Sequence, residues 1–235
     1  MTDAEVELQG GALAYIKAHT KELIVKFAPP SVCHPVENPV SLFMAGSPGA
    51  GKTEVSKSLI KKFKDMPIRI DADDIRAECP KYIGSNAHLF QKAANKGVNI
   101  LYDHALKMRL NCILDGTFAY GNAAENIRRS LNKEGRVVEI WFVYQDPIKA
   151  WEFTKVRETK EARHVSKEVF LKALTASKLN VKSVMKEFGD RVELNLLIKD
   201  YADETEDFKL NVSSEDLDRL TKGSYSLEEL DKVLI

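Results

Sequence analysis

The sequence lacks an excess of charge of either sign, and it lacks long apolar runs. Its 235 residues carry 35 Lys and Arg against 35 Asp and Glu, so the formal net charge is zero, whereas nucleic-acid-binding proteins usually show a basic excess. No apolar run approaches the roughly 20 residues of a membrane span. The first residues, MTDAEVELQGG, lack the basic and apolar regions of a signal peptide. We therefore expect a cytoplasmic protein without a nucleic-acid or membrane partner.

Cysteines are also scarce. Cys33, Cys79 and Cys112 are odd in number and lie far apart, with no CxxC spacing. Such cysteines are typical of structural thiols in a reducing compartment, and they argue against a disulfide framework or a zinc site. The hydrophobic content of 44% is enough for one substantial core.

The most informative stretch covers residues 39–63, PVSLFMAGSPGAGKTEVSKSLIKKF. Its apolar start, residues 40–45, predicts a buried strand, and its last third has apolar residues at helical spacing. Between them lies a complete GxxxxGK[ST] loop. The loop consists of Gly46, Ser47, Pro48, Gly49, Ala50, Gly51, Lys52 and Thr53.

This loop has the residue types that bind a nucleoside triphosphate such as ATP. Glycines let backbone N–H groups turn towards a phosphate chain, and the following helix directs its positive dipole end at the same phosphates. Lys52 adds a charge at the β- and γ-phosphates, and the Thr53 hydroxyl can ligate Mg²⁺. The loop therefore predicts that the protein binds a nucleoside triphosphate, but it does not indicate which reaction the triphosphate undergoes.

Strands and helices alternate along the rest of the chain, which predicts an α/β fold with a parallel sheet covered by helices on both faces. We expect an N-terminal helical segment and linker at 1–38, a P-loop core at 39–200, and a C-terminal extension packed on the core at 201–235. A helix starts after Gly10-Gly11, and Ser85, Ser166 and Ser226 each cap another. The predicted strands are 40–45, 66–70, 110–114, 137–144 and 192–198, with a possible extra strand at 208–212.

Two of these strands end in carboxylates. Asp71, Asp73 and Asp74 follow the second strand. One such carboxylate can accept the proton of a substrate hydroxyl, and another can help to hold hydrated Mg²⁺; a solvated Asp-rich turn is the alternative. Asp115 and Thr117 follow the third strand. Asp115 stands at the position from which an acidic residue reaches Mg²⁺ through water.

Two further groups have an open interpretation. Arg157 and Arg163 flank a polar segment and are typical of a lid that brings charge to the γ-phosphoryl group, or of exposed surface arginines. Asn95, Asn99 and Tyr102 form a polar stripe on a helix, which faces either a hydroxyl-rich substrate or water.

Together these motifs resemble the zeta-toxin family of bacterial toxin–antitoxin kinases, over about residues 12–200. The segment from Asp71 to Pro80 is similar to the family's DxDxxRxxHP signature, with Asp73 and Arg76 in place and Cys79 where His is usual. The family's acidic-x-Thr element, its proline and its two phosphate-binding arginines are matched by Asp115-Gly116-Thr117, Pro147, Arg157 and Arg163.

The resemblance implies a P-loop kinase-like fold and an ATP-dependent kinase acting on the 3′-hydroxyl of UDP-N-acetylglucosamine, with an antitoxin as a possible protein partner. Lys52 and Thr53 would then hold ATP and Mg²⁺, with Asp115 also on the metal side. The implied catalytic residues are Asp73 as the base, Lys52, Arg157 and Arg163. The implied substrate-binding residues are Asp73, Arg76, Asn99, Asp115 and Thr117.

Two alternatives stay open at this point. One is a P-loop kinase of another small molecule, such as a nucleotide, an antibiotic or a polyol, because Ala119 and Asn99 depart from the family's pattern at the acceptor site. The other is a nucleotide-dependent regulatory switch. A guanine switch usually carries an NKxD motif, and the nearest match, Asn132-Lys133-Glu134-Gly135, lacks the Asp.

Overall fold

A computed structural model describes residues 1–120, 123–200, 205–221 and 225–234. Within these ranges the strands form one six-stranded sheet in the order β2-β3-β1-β4-β5-β6. The first five strands pair in parallel, and β6 joins β5 antiparallel at the edge. The strands are β1 Val40–Ala45, β2 Ile68–Asp71, β3 Cys112–Asp115, β4 Val137–Gln145, β5 Glu193–Asp200 and β6 Thr205–Lys209.

The central strand β1 is buried on both faces, which explains its continuous apolar sequence. Phe43 and Ala45 pack into the larger core cluster, and Leu42 and Met44 pack into a second cluster. Because side chains alternate along a strand, the two clusters lie on opposite faces of the sheet.

Helices cover both faces, as expected, but unequally. On the face of the second cluster, the sheet packs against Val55 of α3. On the face of the larger cluster, buried residues come from several helices, including α1, α2, α5, α6, α8 and α9. The helices in the described ranges are α1 Asp3–Ala18, α2 Thr20–Phe27, α3 Lys52–Ile60, α4 Ala72–Ala77, α5 Gln91–Lys107, α6 Ala123–Leu131, α7 Pro147–Glu161, α8 Lys167–Phe188, α9 Ser214–Leu220 and α10 Leu227–Val233. None of them combines the length and the apolar composition needed to traverse a bilayer.

The α/β fold class is confirmed, and several element boundaries are corrected. The first helix begins at Asp3, because Thr2 forms a capping box with Glu5, and not after Gly10-Gly11. Ser85 does not cap α5, because a 3₁₀ helix, Ala87–Phe90, precedes that helix. The caps at Ser166 and Ser226 are confirmed.

The C-terminal segment contributes to two clusters. Leu217 of α9 is buried in the larger core cluster, and Leu230 and Leu234 pack with Trp151 and Phe170 in a third cluster. An extra strand is present, but it is β6, Thr205–Lys209, so the predicted bounds of 208–212 were placed too late in the chain. The division of the chain into three segments stays a prediction.

The structure corrects the polar stripe on α5. Tyr102 is fully buried, and its hydroxyl lies 2.7 Å from the Asn126 carbonyl oxygen, to which it donates, and 2.6 Å from Ser130 Oγ. Asn95 and Asn99 are exposed on the same helix. The polar-stripe prediction is therefore wrong for Tyr102, whose polar tip is satisfied inside the core.

We expect Tyr102→Phe to lower the free energy of unfolding by about 1–2 kcal/mol, because the change removes the buried hydrogen bonds of the hydroxyl with the Asn126 carbonyl and with Ser130 Oγ. Urea denaturation followed by circular dichroism measures the change. Asn99→Ala, an exposed substitution on the same helix, is the control and should stay within about 0.5 kcal/mol of the wild type. Equal stability of Tyr102→Phe and Asn99→Ala would contradict the structural role of the hydroxyl.

Candidate active site

The P-loop passes close to neighbouring backbone where a larger residue would not fit. Gly46 and Gly49 both have positive φ. A Cβ at Gly46 would lie 2.2 Å from the Val143 carbonyl oxygen, and one at Gly49 would lie 1.9 Å from that of Ala150. The loop therefore requires glycine at both positions, and its shape depends on β4 and α7.

Lys52, the first residue of α3, lies buried at the loop. Its ammonium donates a hydrogen bond to the Ser47 carbonyl oxygen at 2.6 Å, so the side chain folds back over the loop. Burial is the main cause that lowers the pKa of Lys52, to about 8. An anionic ligand here would meet a cation that is under-solvated, which fits a phosphate chain.

Asp71 positions the carboxylate-bearing helix α4. Its side chain caps the helix by accepting a hydrogen bond from the Asp73 backbone N–H at 2.8 Å. This cap fixes Asp73 in the first turn of α4, directly beyond the carboxyl end of β2. Burial, followed by the nearby charge of Asp115, raises the pKa of Asp71 to about 6.

Three arginines surround Asp73. Arg76, one turn along α4, binds one carboxylate oxygen, and Arg163 binds the other. Arg157 Nη2 lies 3.9 Å from that second oxygen. The structure thus brings Asp73 together with Arg157 and Arg163, the two arginines that the sequence singles out. The Arg76 guanidinium is held in turn by Gln91 Oε1 at 2.5 Å.

A cavity of about 300 Å³ lies beside this group. It is lined by Thr53, Lys57, Arg69, Asp71, Asp73, Asp74, Tyr82, Arg157 and Arg163. The Thr53 hydroxyl and the Asp71 carboxylate are hard oxygen donors of the kind that Mg²⁺ accepts. In the part of the chain that the structure describes, no group of three or more His, Cys, Asp or Glu residues is arranged to hold a metal, so a bound Mg²⁺ would need ligands from phosphate and water.

Asp115 lies behind this cavity rather than in its wall. Its side chain is 3% exposed. One carboxylate oxygen accepts hydrogen bonds from Ser56 Oγ at 2.6 Å and from Arg69 Nη2 and Nε at 2.6 and 3.0 Å. Arg69 and Ser56 thus occupy this oxygen of Asp115, and the role of Asp115 on the metal side, through water, stays a prediction.

The remaining candidates for substrate binding also lie outside the wall of this cavity. The Thr117 carbonyl oxygen accepts a hydrogen bond from the Gly46 backbone N–H at 3.2 Å, so Thr117 adjoins the P-loop. Asn99 is exposed on α5. Their roles stay predictions.

Two basic residues of the site were missed by sequence reasoning. Arg69 lies inside β2, two residues before Asp71 on the same face of the strand, so the alternation of side chains was the available signal. Lys199, near the end of β5, is buried with its side chain against the P-loop: a Cβ at Gly51 would lie 2.8 Å from Lys199 Nζ. Lys199 could have been found from the sequence because it is a lysine at the carboxyl end of a predicted parallel strand, where ligands bind.

Comparison with known proteins agrees with this geometry. A sequence model of the family described as zeta toxin matches residues 28–213, which is most of the chain. The chain belongs to the zeta-toxin family. The family is one of kinase-like toxins.

A curated relative is the toxin PezT of Streptococcus pneumoniae serotype 4, which is 24% identical over 128 residues. The match covers 52% of this chain and 51% of that protein. The chain thus spans about half the length of PezT.

Solved structures show the same fold. A chain of the PezAT toxin–antitoxin system of Streptococcus pneumoniae matches with a TM-score of 0.66 and 18% identity, over 99% of this chain and 93% of that chain. A chain of the AvrRxo1-ORF1:ORF2 complex with ATP matches with a TM-score of 0.61 and 12% identity, over 94% and 73%. At these identities the likeness concerns the fold.

We expect Lys52 to make the binding of ATP depend on pH. Its pKa of about 8 leaves roughly three-quarters of the side chains neutral at pH 8.5. Phosphates favour the charged form and raise this pKa, so ATP binding should take up a fraction of a proton at pH 8.5 and much less at pH 7. Affinity should accordingly fall as the pH rises above 8.

Titration calorimetry of ATP in buffers of different ionisation enthalpy measures this proton uptake at the two pH values. Lys57→Met, which removes an amine from the cavity wall and leaves Lys52 in place, is the matched control and should keep the same pH dependence. Equal proton uptake at pH 7 and pH 8.5 in the wild type would show that Lys52 is already fully charged before ATP binds.

Proposed function

We propose that this protein is an ATP-dependent kinase that transfers the γ-phosphoryl group of ATP to a hydroxyl of UDP-N-acetylglucosamine. The observation that carries the proposal is the position of Asp73, which lines a cavity beside the P-loop helix and is bound there by the lid arginine Arg163, with Arg157 close by. A phosphate-binding loop, a carboxylate and cationic lid residues are the parts that phosphoryl transfer to an alcohol requires.

In this proposal the P-loop and Lys52 bind the triphosphate, and the Thr53 hydroxyl holds Mg²⁺, which supplies further neutralisation of phosphate charge when bound. Asp73 accepts a hydrogen bond from the acceptor hydroxyl and orients it. In a loose transition state that hydroxyl keeps its proton until late, so positioning is the main contribution of the base.

Arg163 and Arg157 have two possible anionic partners in this scheme. In the structure Arg163 contacts Asp73. A triphosphate offers guanidinium groups more oxygens and more charge than one carboxylate does. We propose that both arginines transfer to the phosphates when ATP binds, which frees one oxygen of Asp73 for the acceptor.

The choice of UDP-N-acetylglucosamine rests on the family resemblance. The resemblance also assigns residues to the binding of this substrate, namely Arg76, Asn99, Asp115 and Thr117. Another small hydroxylated acceptor would use the same catalytic groups. A regulatory switch would need the nucleotide site alone, so the cavity carboxylate Asp73 favours a kinase over a switch.

The structural relatives suggest a protein partner as well. The PezAT system and the AvrRxo1 complex each pair two different chains, so we propose an antitoxin as the partner of this protein. ATP is a cytoplasmic metabolite, and the proposed reaction therefore takes place in the cytoplasm.

The acceptor is tested with purified protein, ATP, Mg²⁺ and UDP-N-acetylglucosamine, followed by mass spectrometry. We expect ADP and a product heavier by one phosphate. An analogue without the sugar 3′-hydroxyl is the matched control and should yield none. ADP formation that UDP-N-acetylglucosamine does not stimulate would refute this acceptor, and stimulation by a metabolite extract would then indicate a kinase of another substrate.

Asp73→Asn should bind ATP normally and reduce turnover by roughly 10²- to 10⁴-fold, in the range of losses of a general base. The substitution keeps the size of the side chain and removes its charge and its ability to accept a proton. Steady-state kinetics with the acceptor and calorimetric binding of ATP measure the two effects separately.

Asp74→Asn is the control for this substitution. Asp74 is the next residue of α4, its side chain is 49% exposed, and it contacts Arg69 rather than the lid arginines. We expect a much smaller effect. If Asp74→Asn abolished turnover and Asp73→Asn did not, the base would be Asp74, and the assignment to Asp73 would be wrong by one residue.

A further inference from the structure

The first glycine of the P-loop lies just beyond the paired part of the sheet. The register between β1 and β3 ends at the pair of Phe43 and Leu114, three residues before Gly46. Past this pair, the Gly46 N–H donates to the Thr117 carbonyl oxygen at 3.2 Å. A closer acceptor comes from α8, where Ser177 Oγ lies 2.7 Å from the same N–H. A side chain of α8 thus binds the backbone at the point where the P-loop begins.

The P-loop depends on contacts with its surroundings because much of it is glycine. Gly46, Gly49 and Gly51 all have positive φ, and glycine loses more conformational freedom on ordering than any other residue. The loop packs closely against the carbonyl groups of Val143 on β4 and Ala150 on α7. These contacts limit where the loop can lie, whereas a hydrogen bond also fixes the direction of a peptide group.

The hydroxyl of Ser177 is not needed to fill space. Ser177 is fully buried, and so is Ala173, one turn earlier on α8. Ala173 shows that a side chain without a polar atom is accommodated on this buried face. A buried N–H group requires an acceptor, however, and the Ser177 hydroxyl provides one for Gly46.

The helix that carries Ser177 is itself firmly held. Val181 and Val184, on the next turns of α8, are buried in the larger core cluster. Asn180 Nδ2 donates a hydrogen bond to the Phe118 carbonyl oxygen at 3.0 Å, which joins α8 to the loop after β3. An acceptor on such a helix is in place before a ligand arrives, and this lowers the cost of binding.

We propose that Ser177 is a positioning residue for the nucleotide: its hydroxyl holds the Gly46 N–H, and through it the start of the P-loop, in the shape that receives the phosphate chain. Without this bond the loop populates that shape less often, and affinity falls by the same factor. Bound phosphates then hold the loop themselves, so the effect concerns binding rather than turnover. The kinetic part of the test below rests on the proposed function, whereas the binding part does not.

The test measures ATP binding by calorimetry to the full-length protein. Ser177→Ala should weaken the affinity about 3- to 10-fold, as expected for the loss of one buried hydrogen bond. Ser183→Ala is the matched control, because it is the same substitution at an exposed serine of the same helix, and it should bind ATP as the wild type does. Equal affinity of the two variants, even with a lower Tm for Ser177→Ala, would reduce Ser177 to a structural residue and overturn the proposal.

A second pair of variants isolates the hydroxyl from the volume of the side chain. Ser177→Thr and Ser177→Val introduce side chains of the same shape, and the threonine alone keeps an acceptor. Any cost of the added methyl group is common to both. We expect Ser177→Thr to bind ATP more tightly than Ser177→Val, and equal affinities would contradict the role of the hydroxyl. This comparison also replaces the alanine variant if that variant does not fold.

Steady-state kinetics with UDP-N-acetylglucosamine complete the test. Ser177→Ala should raise the KM for ATP and change kcat less than about 3-fold, the pattern of a loss in binding alone. A fall in kcat with an unchanged KM for ATP would overturn the proposal. A wild type that binds ATP without phosphorylating an acceptor would refute the proposed kinase and leave the binding comparison decisive, and a wild type that binds no ATP would refute both.

Discussion

Opposite charges at the carboxyl ends of β2 and β3 hold this site together. A charge that is buried without a partner is costly, whereas a buried pair with good hydrogen bonds is tolerated. Each side of the network therefore depends on the other. The network contains the carboxylates of Asp71, Asp73, Asp74 and Asp115 and the guanidinium groups of Arg69, Arg76 and Arg163, with Arg157 at its edge.

The network has a fixed part and a part that can exchange partners. Arg69 contacts carboxylates of β2, α4 and β3, and Arg76 contacts Asp73 of α4 and Gln91 of α5. Arg163 lies after the end of α7, and its contact with Asp73 joins two elements far apart in sequence. The carboxylate that we assign to catalysis thus connects α4, at the end of β2, with the segment after α7. This position suits a group that has to respond to the arrival of phosphate.

The sequence predicted the P-loop, the five parallel strands and the acidic strand ends, because each depends on a local pattern of residues. It predicted Asp73 and Arg163 as separate candidates, and their contact depends on a separation of 90 residues. Arg69 was missed because a charged residue inside a short strand has no local motif; its role appears only when the β2–β3 register places Asp71 beside Asp115. Tyr102 was assigned to a polar face because its hydroxyl counts as polar, whereas Asn126 and Ser130 provide partners within the core.

The first two helices have a consequence for how the chain folds. Buried residues of α1 and α2, Ala12, Ile16 and Leu23, share a core cluster with Ala93, Leu101 and Ala105 of α5, although α5 is synthesised much later. Contacts between distant parts of a chain are slow to form. During synthesis the apolar sides of α1 and α2 therefore stay without their partner until α5 has left the ribosome. Over that interval the N-terminal helices expose apolar surface to chaperones and to aggregation.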